Sequence, residues 1–360
     1  MADPVRIGVI GTGVFGISHL RVFQQAEKAG RTVLVAACSS GRDPARDAER
    51  KEEFGIPIYT DWKAMLDKES LDAVTIVTPD HLHREMTVEA ANRGLHVLVE
   101  KPLDVTTAGC REMVDACKSN GVFLQVDFHK RYDPYHLALE RQCNDGTLGE
   151  VLYGYVHMED KIVVPRDWFP HWAGSTSPAW FLGVHFYDLV RWCIKKEATR
   201  VYATGIKKKL VSHGIDTYDA IQAKVEFEGG ASVFFDTGWV LPDTFEAIVN
   251  QSIRLVGTDG FAEVDSQNRG MEAASYKDGM RTYNEAFMRE EEDKNGNVVY
   301  RGYGYESILD FVDNLEFLQE GGTIEQLEDR YPSGEDALEV TRIAEAVHQS
   351  IDSGAIVNLR

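Results

Sequence analysis

The first third of the chain alternates short apolar segments with segments of helical periodicity, and this alternation restricts the fold more than any other feature. The apolar segments are rich in β-branched residues and lie at positions 5–10, 32–38, 73–79, 97–100 and 122–128. Apolar strands separated by helices are typical of a parallel sheet that is covered on both faces. Because such crossovers are right-handed, the sequence predicts a doubly wound α/β domain.

A different pattern begins near residue 150, where the strand-like segments become longer and partly alternate between apolar and polar residues. They lie at positions 150–159, 200–207, 219–228, 231–240 and 252–258. This pattern predicts a mostly antiparallel sheet with one buried face, which helices near 178–194 and 305–319 would cover. We therefore expect two domains, residues 1–128 and residues 129–360.

The composition argues against two classes of partner. The 360 residues carry a formal net charge of -20, whereas nucleic acids and anionic membranes are bound through basic surfaces. The chain has no apolar run of about 18 residues that would span a membrane, and Met1–Arg6 leads into a strand rather than a signal peptide. Five cysteines without a C-x-x-C pair fit reduced thiols in a cytoplasmic protein.

Three glycines follow the first strand directly. In Gly11-x-Gly13-x-x-Gly16 the first glycine fits a tight turn, the second lets the backbone approach a pyrophosphate, and the third lets the helix pack on the strand. The N-terminus of that helix then faces the phosphates. The motif predicts that residues 1–128 form a dinucleotide-binding Rossmann domain. The residues expected to contact the cofactor here are Gly11, Thr12, Gly13, Val14, Phe15 and Gly16.

The end of the second strand distinguishes NAD from NADP. NAD sites usually carry an acidic residue there, which binds the ribose hydroxyl. This chain has Ser39 and Ser40 and then Arg42, and hydroxyl groups with a guanidinium suit a 2′-phosphate. The first acid, Asp43, precedes Pro44 and is expected to cap the next helix. The sequence therefore favours NADP as the cofactor, with NAD as the alternative.

Several motifs together resemble the Gfo/Idh/MocA family of NAD(P)-dependent oxidoreductases, which act on sugars, polyols and related compounds. The motifs run through nearly the whole chain and read GTGVFGISH, TPDHLH, EKP, HKRYDP, GTLGEV, GVHFYD and GTDGFAEVD. The resemblance implies a Rossmann domain followed by an α/β domain with a large, mostly antiparallel open sheet. In the family this sheet commonly mediates homodimers or homotetramers.

The resemblance also implies roles for individual residues. Lys101 of EKP corresponds to the family's active-site lysine, and His185 corresponds to its catalytic histidine. Pro102 is expected to shape the backbone beside Lys101 through a cis bond. The loop that lines the cofactor in the family corresponds to Thr78, Pro79 and His83.

One position departs from the family pattern. Many polyol-oxidising members carry an aspartate four residues before the catalytic histidine, and this chain has Phe181 there. Proton handling is therefore expected to rest more heavily on Lys101. Glu100 either holds Lys101 in place or contacts the nicotinamide end of the cofactor.

Hydride transfer from a carbinol carbon requires that a proton be removed and that charge on the oxygen be stabilised. Lys101 lies at the carboxyl end of a parallel strand, where it can stabilise the charge and share the proton. His185 can accept or donate the proton. Both residues would contact one substrate only if a cleft lies between the domains. Asp188 either orients His185 or pairs with Arg191.

A further set of residues is predicted to bind the substrate, namely Arg131, Trp168, Trp172 and Phe181. The tryptophans lie in an aromatic stretch at 165–180 that also contains Asp167 and His171. Indole rings with polar neighbours suit a sugar ring, although the same aromatics would also fill a domain seam. The pair His81-x-His83 lacks a third ligand at a suitable spacing, so we predict no metal site.

Together these features predict an oxidoreductase that interconverts carbinol and carbonyl groups of a sugar, sugar derivative or polyol. Three alternatives stay open: elimination or glycoside cleavage with a recycled cofactor, reduction of an imine or a polyene, and dinucleotide sensing without catalysis. The presence of both Lys101 and His185 argues against the sensor.

Overall fold

The computed structural model describes residues 3–170, 172–268, 270–277 and 279–359. Its α-helices are α1 (Gly16–Lys28), α2 (Pro44–Phe54), α3 (Trp62–Lys68), α4 (His83–Asn92), α5 (Thr107–Ser119), α6 (Pro134–Asn144), α7 (Val184–Ile194), α8 (Lys209–Ser212), α9 (Tyr303–Gln319) and α10 (Gly334–Ser353). Its strands are β1 (Val5–Ile10), β2 (Thr32–Cys38), β3 (Ile58–Tyr59), β4 (Ala73–Ile76), β5 (His96–Val99), β6 (Leu124–Val126), β7 (Val151–Lys161), β8 (Ala198–Ile206), β9 (Ala220–Phe227), β10 (Ser232–Leu241), β11 (Val249–Gly257), β12 (Phe261–Asp265), β13 (Met271–Ser275), β14 (Gly279–Tyr283), β15 (Arg289–Glu292), β16 (Val298–Arg301) and β17 (Val357–Asn358).

Helix α2 begins and ends where its sequence signals predict. The side chain of Asp43 accepts a hydrogen bond from the backbone N–H of Arg46 at 3.1 Å, and Pro44 occupies the first turn. Gly55 ends the helix with a φ of 68°, a conformation that favours glycine. The prediction that Asp43 caps this helix is confirmed.

The chain divides into two compact units, one of Met1–Tyr132 with Phe287–Leu338 and the other of Asp133–Ala286 with Glu339–Arg360. The first unit contains a six-stranded sheet in the order β3-β2-β1-β4-β5-β6, in which every neighbouring pair is parallel. This is the predicted doubly wound Rossmann sheet. The division differs from the predicted domains of residues 1–128 and 129–360, because Phe287–Leu338 lies within the first unit.

The prediction that residues 305–319 cover the antiparallel sheet is wrong. These residues form most of α9, whose Ile308 and Phe311 belong to the apolar core around β1 of the first unit. The ring of Phe311 stacks on that of Phe123, with centroids 6.0 Å apart. An amphipathic pattern predicts that a helix has a buried face, but it does not identify the sheet that buries it.

A buried polar network also fixes α9 within the first unit. Its Asp310 accepts hydrogen bonds from the Tyr132 hydroxyl at 2.6 Å, the Asn314 amide at 2.9 Å and the Gln125 amide at 3.2 Å. Burial raises the pKa of Asp310 to about 6, although these donors oppose the shift. A half-buried carboxyl with several donors favours one arrangement of the elements that supply them, here β6, the turn that follows it and α9.

The second unit is built on a seven-stranded sheet in the order β12-β11-β7-β10-β9-β8-β17. Its neighbours are antiparallel except for β7 and β10, which are parallel. The turn Glu228–Gly230 joins β9 to β10, and Gly229 and Gly230 have φ values of 77° and 93°. The predicted hairpin at this turn and the mostly antiparallel sheet are both confirmed.

Helix α7 covers one face of this sheet, as predicted for residues 178–194. The ring of Tyr187 packs against that of Phe235 on β10, with centroids 4.9 Å apart. A wider turn of π-helical type, Ala179–Gly183, precedes α7. Within the described ranges, no helix is both long enough and apolar enough to cross a bilayer. The five cysteines, all of them described, are free thiols.

Candidate active site

The turn between β1 and α1 depends on two glycines. Gly11 has a φ of 108°, and a Cβ atom there would collide with the carbonyl group of Val77. A Cβ atom on Gly16 would collide with the carbonyl oxygen of Gly11. At Gly13, by contrast, no heavy atom lies within 4 Å of the position that a Cβ would take. The turn is therefore closed on the protein side and open at Gly13, as a pyrophosphate would require.

The other predicted cofactor residues of this turn differ in exposure. Thr12 is buried, whereas Val14 is 62% exposed and Phe15 is 36% exposed. Phe15 makes no side-chain hydrogen bond to the start of α1. Val14 and Phe15 thus provide apolar surface beside the N-terminus of α1.

The carboxyl ends of β1, β4 and β5 lie side by side. Ile10 pairs with Ile76, and Ile76 pairs with Val99. Since neighbouring strands lie about 4.8 Å apart, the backbone after β5 lies about 10 Å from the glycine turn. Ligands of open parallel sheets bind at this edge, and the structure brings the glycine turn and the EKP segment to it.

The end of β2 carries an acid that the sequence analysis missed. The hydroxyl of Ser39 donates to the carboxylate of Asp47 at 2.7 Å and accepts the backbone N–H of Gly41 at 3.0 Å. Ser40 and Arg42 are exposed beside it. Asp47 lies on α2, eight residues after Ser39, so inspection of the strand end alone did not find it.

His83 joins two loops of the first unit. Its Nδ1 lies 2.8 Å from the carbonyl oxygen of Pro102, and its Nε2 lies 2.8 Å from the carbonyl oxygen of Thr78. Carbonyl oxygens only accept hydrogen bonds, so the ring of His83 has an acceptor on each side. The buried ring of His83 holds the loop after β4 against the EKP segment, while Thr78 is half-buried and Pro79 is exposed.

The EKP segment places a half-buried lysine after β5. The peptide bond between Lys101 and Pro102 is cis, as the resemblance implied. Glu100 is 8% exposed, and its Oε2 accepts the backbone N–H of Lys101 at 3.2 Å. Burial raises the pKa of Glu100, and the positive charge of Lys101 opposes that shift. The carboxylate points into the protein, which favours the interpretation that Glu100 holds Lys101.

Two further residues that the sequence analysis missed lie against Glu100. Nε2 of His19 is 3.4 Å from Oε1 of Glu100 and 3.8 Å from Oδ2 of Asp127. A ring nitrogen of His19 and one carboxyl oxygen of each acid lie within 4.8 Å of one another, and the His19–Glu100 pair is within hydrogen-bonding distance. The sequence contained two signals for these residues: Asp127 at the end of the apolar segment VFLQVD, and His19 in the first helix.

Arg131, which was predicted to bind substrate, is engaged within the first unit. Its guanidinium lies 3.2 Å from the carboxylate of Asp336 near the start of α10, and the residue is only 7% exposed. Asp336 also accepts the backbone N–H of Ser333 at 3.2 Å. The guanidinium therefore stabilises the start of α10, and its role in substrate binding stays a prediction.

Phe181 lies at the centre of an aromatic cluster in the second unit. Its ring centroid is 5.8 Å from that of Phe169, 5.6 Å from that of Trp172 and 5.8 Å from that of Trp239. A carboxylate at this half-buried position would lose part of its hydration to these rings, which is costly without a partner. The cluster thus gives a physical reason for a phenylalanine here, while Trp168 remains 47% exposed.

His185 lies on α7, one helical turn after Phe181, and is 5% exposed. Asp188 follows it on the same helix and is fully buried. Arg191 forms a bidentate pair with Glu197, with N–O distances of 2.7 and 2.5 Å. His171 lies outside the described residues.

A doubly wound parallel sheet with an open glycine turn at its carboxyl edge defines a class of dinucleotide-binding proteins. The model of an oxidoreductase family with an NAD-binding Rossmann fold matches residues 5–128, and the model of the GFO/IDH/MocA C-terminal domain matches residues 136–263. The chain belongs to the GFO/IDH/MocA family of oxidoreductases.

Several named proteins are similar in sequence to part or nearly all of this chain. Inositol 2-dehydrogenase 1 of Saccharopolyspora erythraea is 32% identical over 55% of this chain and 56% of its own length, so the match spans about half of that relative. D-apiose dehydrogenase of Paraburkholderia graminis is 27% identical over 98% of this chain and 89% of its own. A 2,7-anhydro-N-acetylneuraminate hydratase of Mediterraneibacter gnavus is 32% identical over 41% of this chain and 38% of its own.

Solved structures show the same fold. The myo-inositol 2-dehydrogenase of Lactobacillus plantarum superposes with a TM-score of 0.79 at 22% identity, over 99% of this chain and 100% of the other. GenD2 from gentamicin A biosynthesis, solved in complex with NAD, superposes with a TM-score of 0.83 at 22% identity, over 100% of this chain and 97% of the other. At these identities the likeness establishes the fold.

Gly13 and Gly16 differ in the space around them, and this difference predicts a contrast between their alanine variants. Gly13→Ala should leave the free energy of unfolding within about 0.5 kcal/mol of the parent, because its Cβ enters open space. It should weaken dinucleotide binding tenfold or more, since that space is where the backbone approaches the pyrophosphate. Gly16→Ala should lower both stability and binding. Urea unfolding and a fluorescence titration with NAD and NADP measure the two effects, and unchanged affinity in Gly13→Ala would contradict this placement of the cofactor.

Proposed function

We propose that this chain is an NAD(P)-dependent dehydrogenase or reductase that acts on a CH–OH group of a sugar, a sugar derivative or a polyol. The observation that carries the proposal is the placement of a half-buried lysine about 10 Å from an open glycine turn, at the edge where such sheets bind ligands. The names of the inositol and apiose dehydrogenases among its relatives support this class of substrate.

The cofactor, when bound, supplies the nicotinamide carbon that accepts or donates hydride. We assign Lys101 as the group that stabilises negative charge on the reacting oxygen and shares its proton, because an ammonium in a partly desolvated setting is most effective there. Glu100 holds the backbone of Lys101 through its N–H. His83 holds the segment that follows Lys101, because its Nδ1 lies 2.8 Å from the carbonyl oxygen of Pro102.

We assign His185 as the proton acceptor in oxidation and the donor in reduction. An imidazole can exchange a proton near neutral pH, and the family resemblance gives this role to His185. Because Phe181 is packed among Phe169, Trp172 and Trp239, the helical turn before His185 offers apolar surface where a carboxylate was expected. Proton exchange is therefore assigned to Lys101 of the first unit and His185 of the second, without a carboxylate at position 181.

One alternative has a specific observation in its favour. A relative over 41% of the chain is named a hydratase, an activity whose name implies no net oxidation. If this chain ran elimination or glycoside cleavage with a recycled cofactor, product would form without a net change in NAD(P)H. Monitoring the absorbance of NAD(P)H together with product release distinguishes the two functions.

The central assignment predicts the result of replacing Lys101 by methionine. Lys101→Met should lower kcat by about 10²–10³-fold, because the charge that stabilises the reacting oxygen is lost. The dinucleotide should still bind, since the glycine turn is intact. Steady-state rates with a panel of sugars and polyols, in both directions, measure the effect. Lys28→Met at the exposed end of α1 is the matched control, and a Lys101→Met enzyme with parental turnover would refute the assignment.

We also propose that NADP is preferred over NAD. Ser40 and Arg42 are exposed at the end of β2, where a 2′-phosphate would meet a hydroxyl and a guanidinium. The carboxylate of Asp47, held by Ser39 at 2.7 Å, acts in the opposite direction because it repels a phosphate. The preference is thus set by the balance between Arg42 and Asp47.

Two variants test this balance. Arg42→Ala should raise the KM for NADP about tenfold or more, with little change for NAD, because a charge-assisted bond to phosphate contributes about 1.5–3 kcal/mol. Asp47→Asn should lower the KM for NADP by removing the repulsion. The ratio of kcat/KM for the two cofactors reports both changes. A parent enzyme with a lower KM for NAD than for NADP would contradict the preference.

We further propose that the chain forms a homodimer or homotetramer through the open face of the seven-stranded sheet. A row of side chains crosses this face, with Arg254 opposite Tyr155, Tyr155 opposite Phe234, and Phe234 opposite Lys224. Tyr155 and Phe234 stack with centroids 6.2 Å apart, yet they are 54% and 47% exposed. Adjacent exposed aromatics on one sheet face are typical of an interface.

The free thiols support a cytoplasmic location.

A double variant tests the sheet interface. Tyr155→Asp with Phe234→Asp should convert the oligomer to monomer, because the stacked aromatic surface is lost and two like charges stand opposite each other at the interface. Sedimentation velocity measures the mass, and circular dichroism checks that the fold is retained. Tyr276→Asp, at a fully exposed position outside the sheet, is the control. Retention of the parental mass in the double variant would contradict the interface.

A further inference from the structure

A buried cluster of three ionisable side chains lies beneath Lys101 in the first unit. His19 comes from α1, Glu100 follows β5, and Asp127 follows β6. Their side chains are 0%, 10% and 3% exposed, and Nε2 of His19 lies 3.4 Å from Glu100 and 3.8 Å from Asp127. Burial makes the charged forms of two carboxyl groups and an imidazole costly, so the few protons that they share determine the charge of the cluster.

His19 contributes no positive charge to this cluster near neutral pH. Its Nδ1 lies 2.9 Å from the hydroxyl of Thr75, which is also fully buried. Burial lowers the pKa of His19 to about 4, and the nearby charge of Asp127 offsets only part of that shift. The neutral ring therefore supplies one N–H and cannot neutralise two carboxylates.

One carboxyl oxygen of Glu100 and one of Asp127 lie within 4.8 Å of each other, and both side chains are buried. Two ionised carboxylates this close in a buried setting repel each other strongly, which favours a proton on one of them. Burial raises the pKa of Asp127 to about 7, with the charge of Glu100 adding to the effect, and burial likewise raises the pKa of Glu100. The side chain of Ser307 on α9 opposes this rise in the pKa of Asp127.

We propose that Glu100 and Asp127 share one proton, and that this proton limits the cluster to a single negative charge beside Lys101. Asp127 is then a positioning residue that acts on Lys101 through Glu100, whose Oε2 binds the Lys101 N–H at 3.2 Å. Loss of the shared proton would add a second negative charge and make the ammonium of Lys101 hold its proton more tightly. The consequence for catalysis rests on the proposed function, whereas the shared proton does not.

The other ionisable groups that face the cluster come from three directions. Lys101 and His83 act on Glu100 with charges that favour its ionised form. Tyr132, which follows β6, has a raised pKa from burial, to which Asp310 and Asp127 contribute. None of these groups is a second carboxyl in contact with Glu100, so Asp127 is the partner whose removal tests the proposal.

The charge-neutral substitution Asp127→Asn keeps the shape of a protonated aspartate and removes the titration. The infrared spectrum of the parent near pH 6 should contain the C=O band of a buried protonated carboxyl that shifts in D₂O, and the band should be lost in Asp127→Asn. Glu100→Gln should lose the same band, because Asp127 then carries the single charge. Asp72→Asn, exposed before β4, should keep it. If Asp127→Asn does not fold, Glu100→Gln provides the comparison.

Stability and the titration of Lys101 give two further measurements. Between about pH 4 and pH 7 the folded parent holds a proton that the unfolded chain has lost, so its stability relative to Asp127→Asn should fall as pH rises through this window and level off above it. The ¹³Cε resonance of Lys101, assigned by its absence in Lys101→Arg, should titrate at lower pH in Asp127→Asn than in the parent.

Each result decides one part of the proposal. Loss of the band with a pH-dependent stability difference supports the shared proton, and a Lys101 titration that moves with Asp127→Asn supports its action on Lys101. An unchanged spectrum, or a stability difference independent of pH, overturns the shared proton. An unchanged Lys101 titration overturns the action on Lys101. Elemental analysis that finds one divalent metal per chain, lost in Asp127→Asn, overturns the proposal by assigning the cluster to an ion. No measurement here uses turnover, so failure of the proposed function is seen separately.

Discussion

The close contact of the Gly11 backbone with the Val77 carbonyl group is the constraint on which the rest of the site depends. It lets the chain leave β1 next to the loop that follows β4, and the contact of Gly16 with Gly11 then directs α1 back along the sheet. Because both contacts exclude a side chain, the open space at Gly13 is fixed by the backbone itself. The N-terminus of α1, the His83 loop and the EKP segment all lie at the same edge as a result.

Features with short-range causes could be predicted from the sequence. The glycine turn, the Asp43 cap and the parallel strands each follow from residues a few positions apart, and each is confirmed. The partner of α9 could not be predicted, because its apolar face fits either sheet. The same reason applies to Asp47 at the end of β2 and to Asp127 beside Glu100, which reach their positions through packing of elements distant in sequence.

The segment that contains α9 links two polar groups of the first unit. Ser307 and Asp310 lie three residues apart, on one face of the helix. Ser307 lowers the pKa of Asp127, and Asp310 accepts a hydrogen bond from Tyr132, so one helix face acts on both groups. The charge state beside Lys101 is therefore set partly by residues about 200 positions later in the chain, which no inspection of the EKP segment could reveal.

The discontinuous first unit also has a consequence for how the protein is made. The unit is complete only when Phe287–Leu338 has joined Met1–Tyr132, and about 200 residues separate the ends of these segments. A ribosome adding about 5–20 residues per second needs roughly 10–40 s to cover that distance. During this delay the core residues around β1 that pack against Ile308 and Phe311 stay uncovered on the nascent chain. The order of synthesis thus creates a demand for chaperone protection of the N-terminal segment.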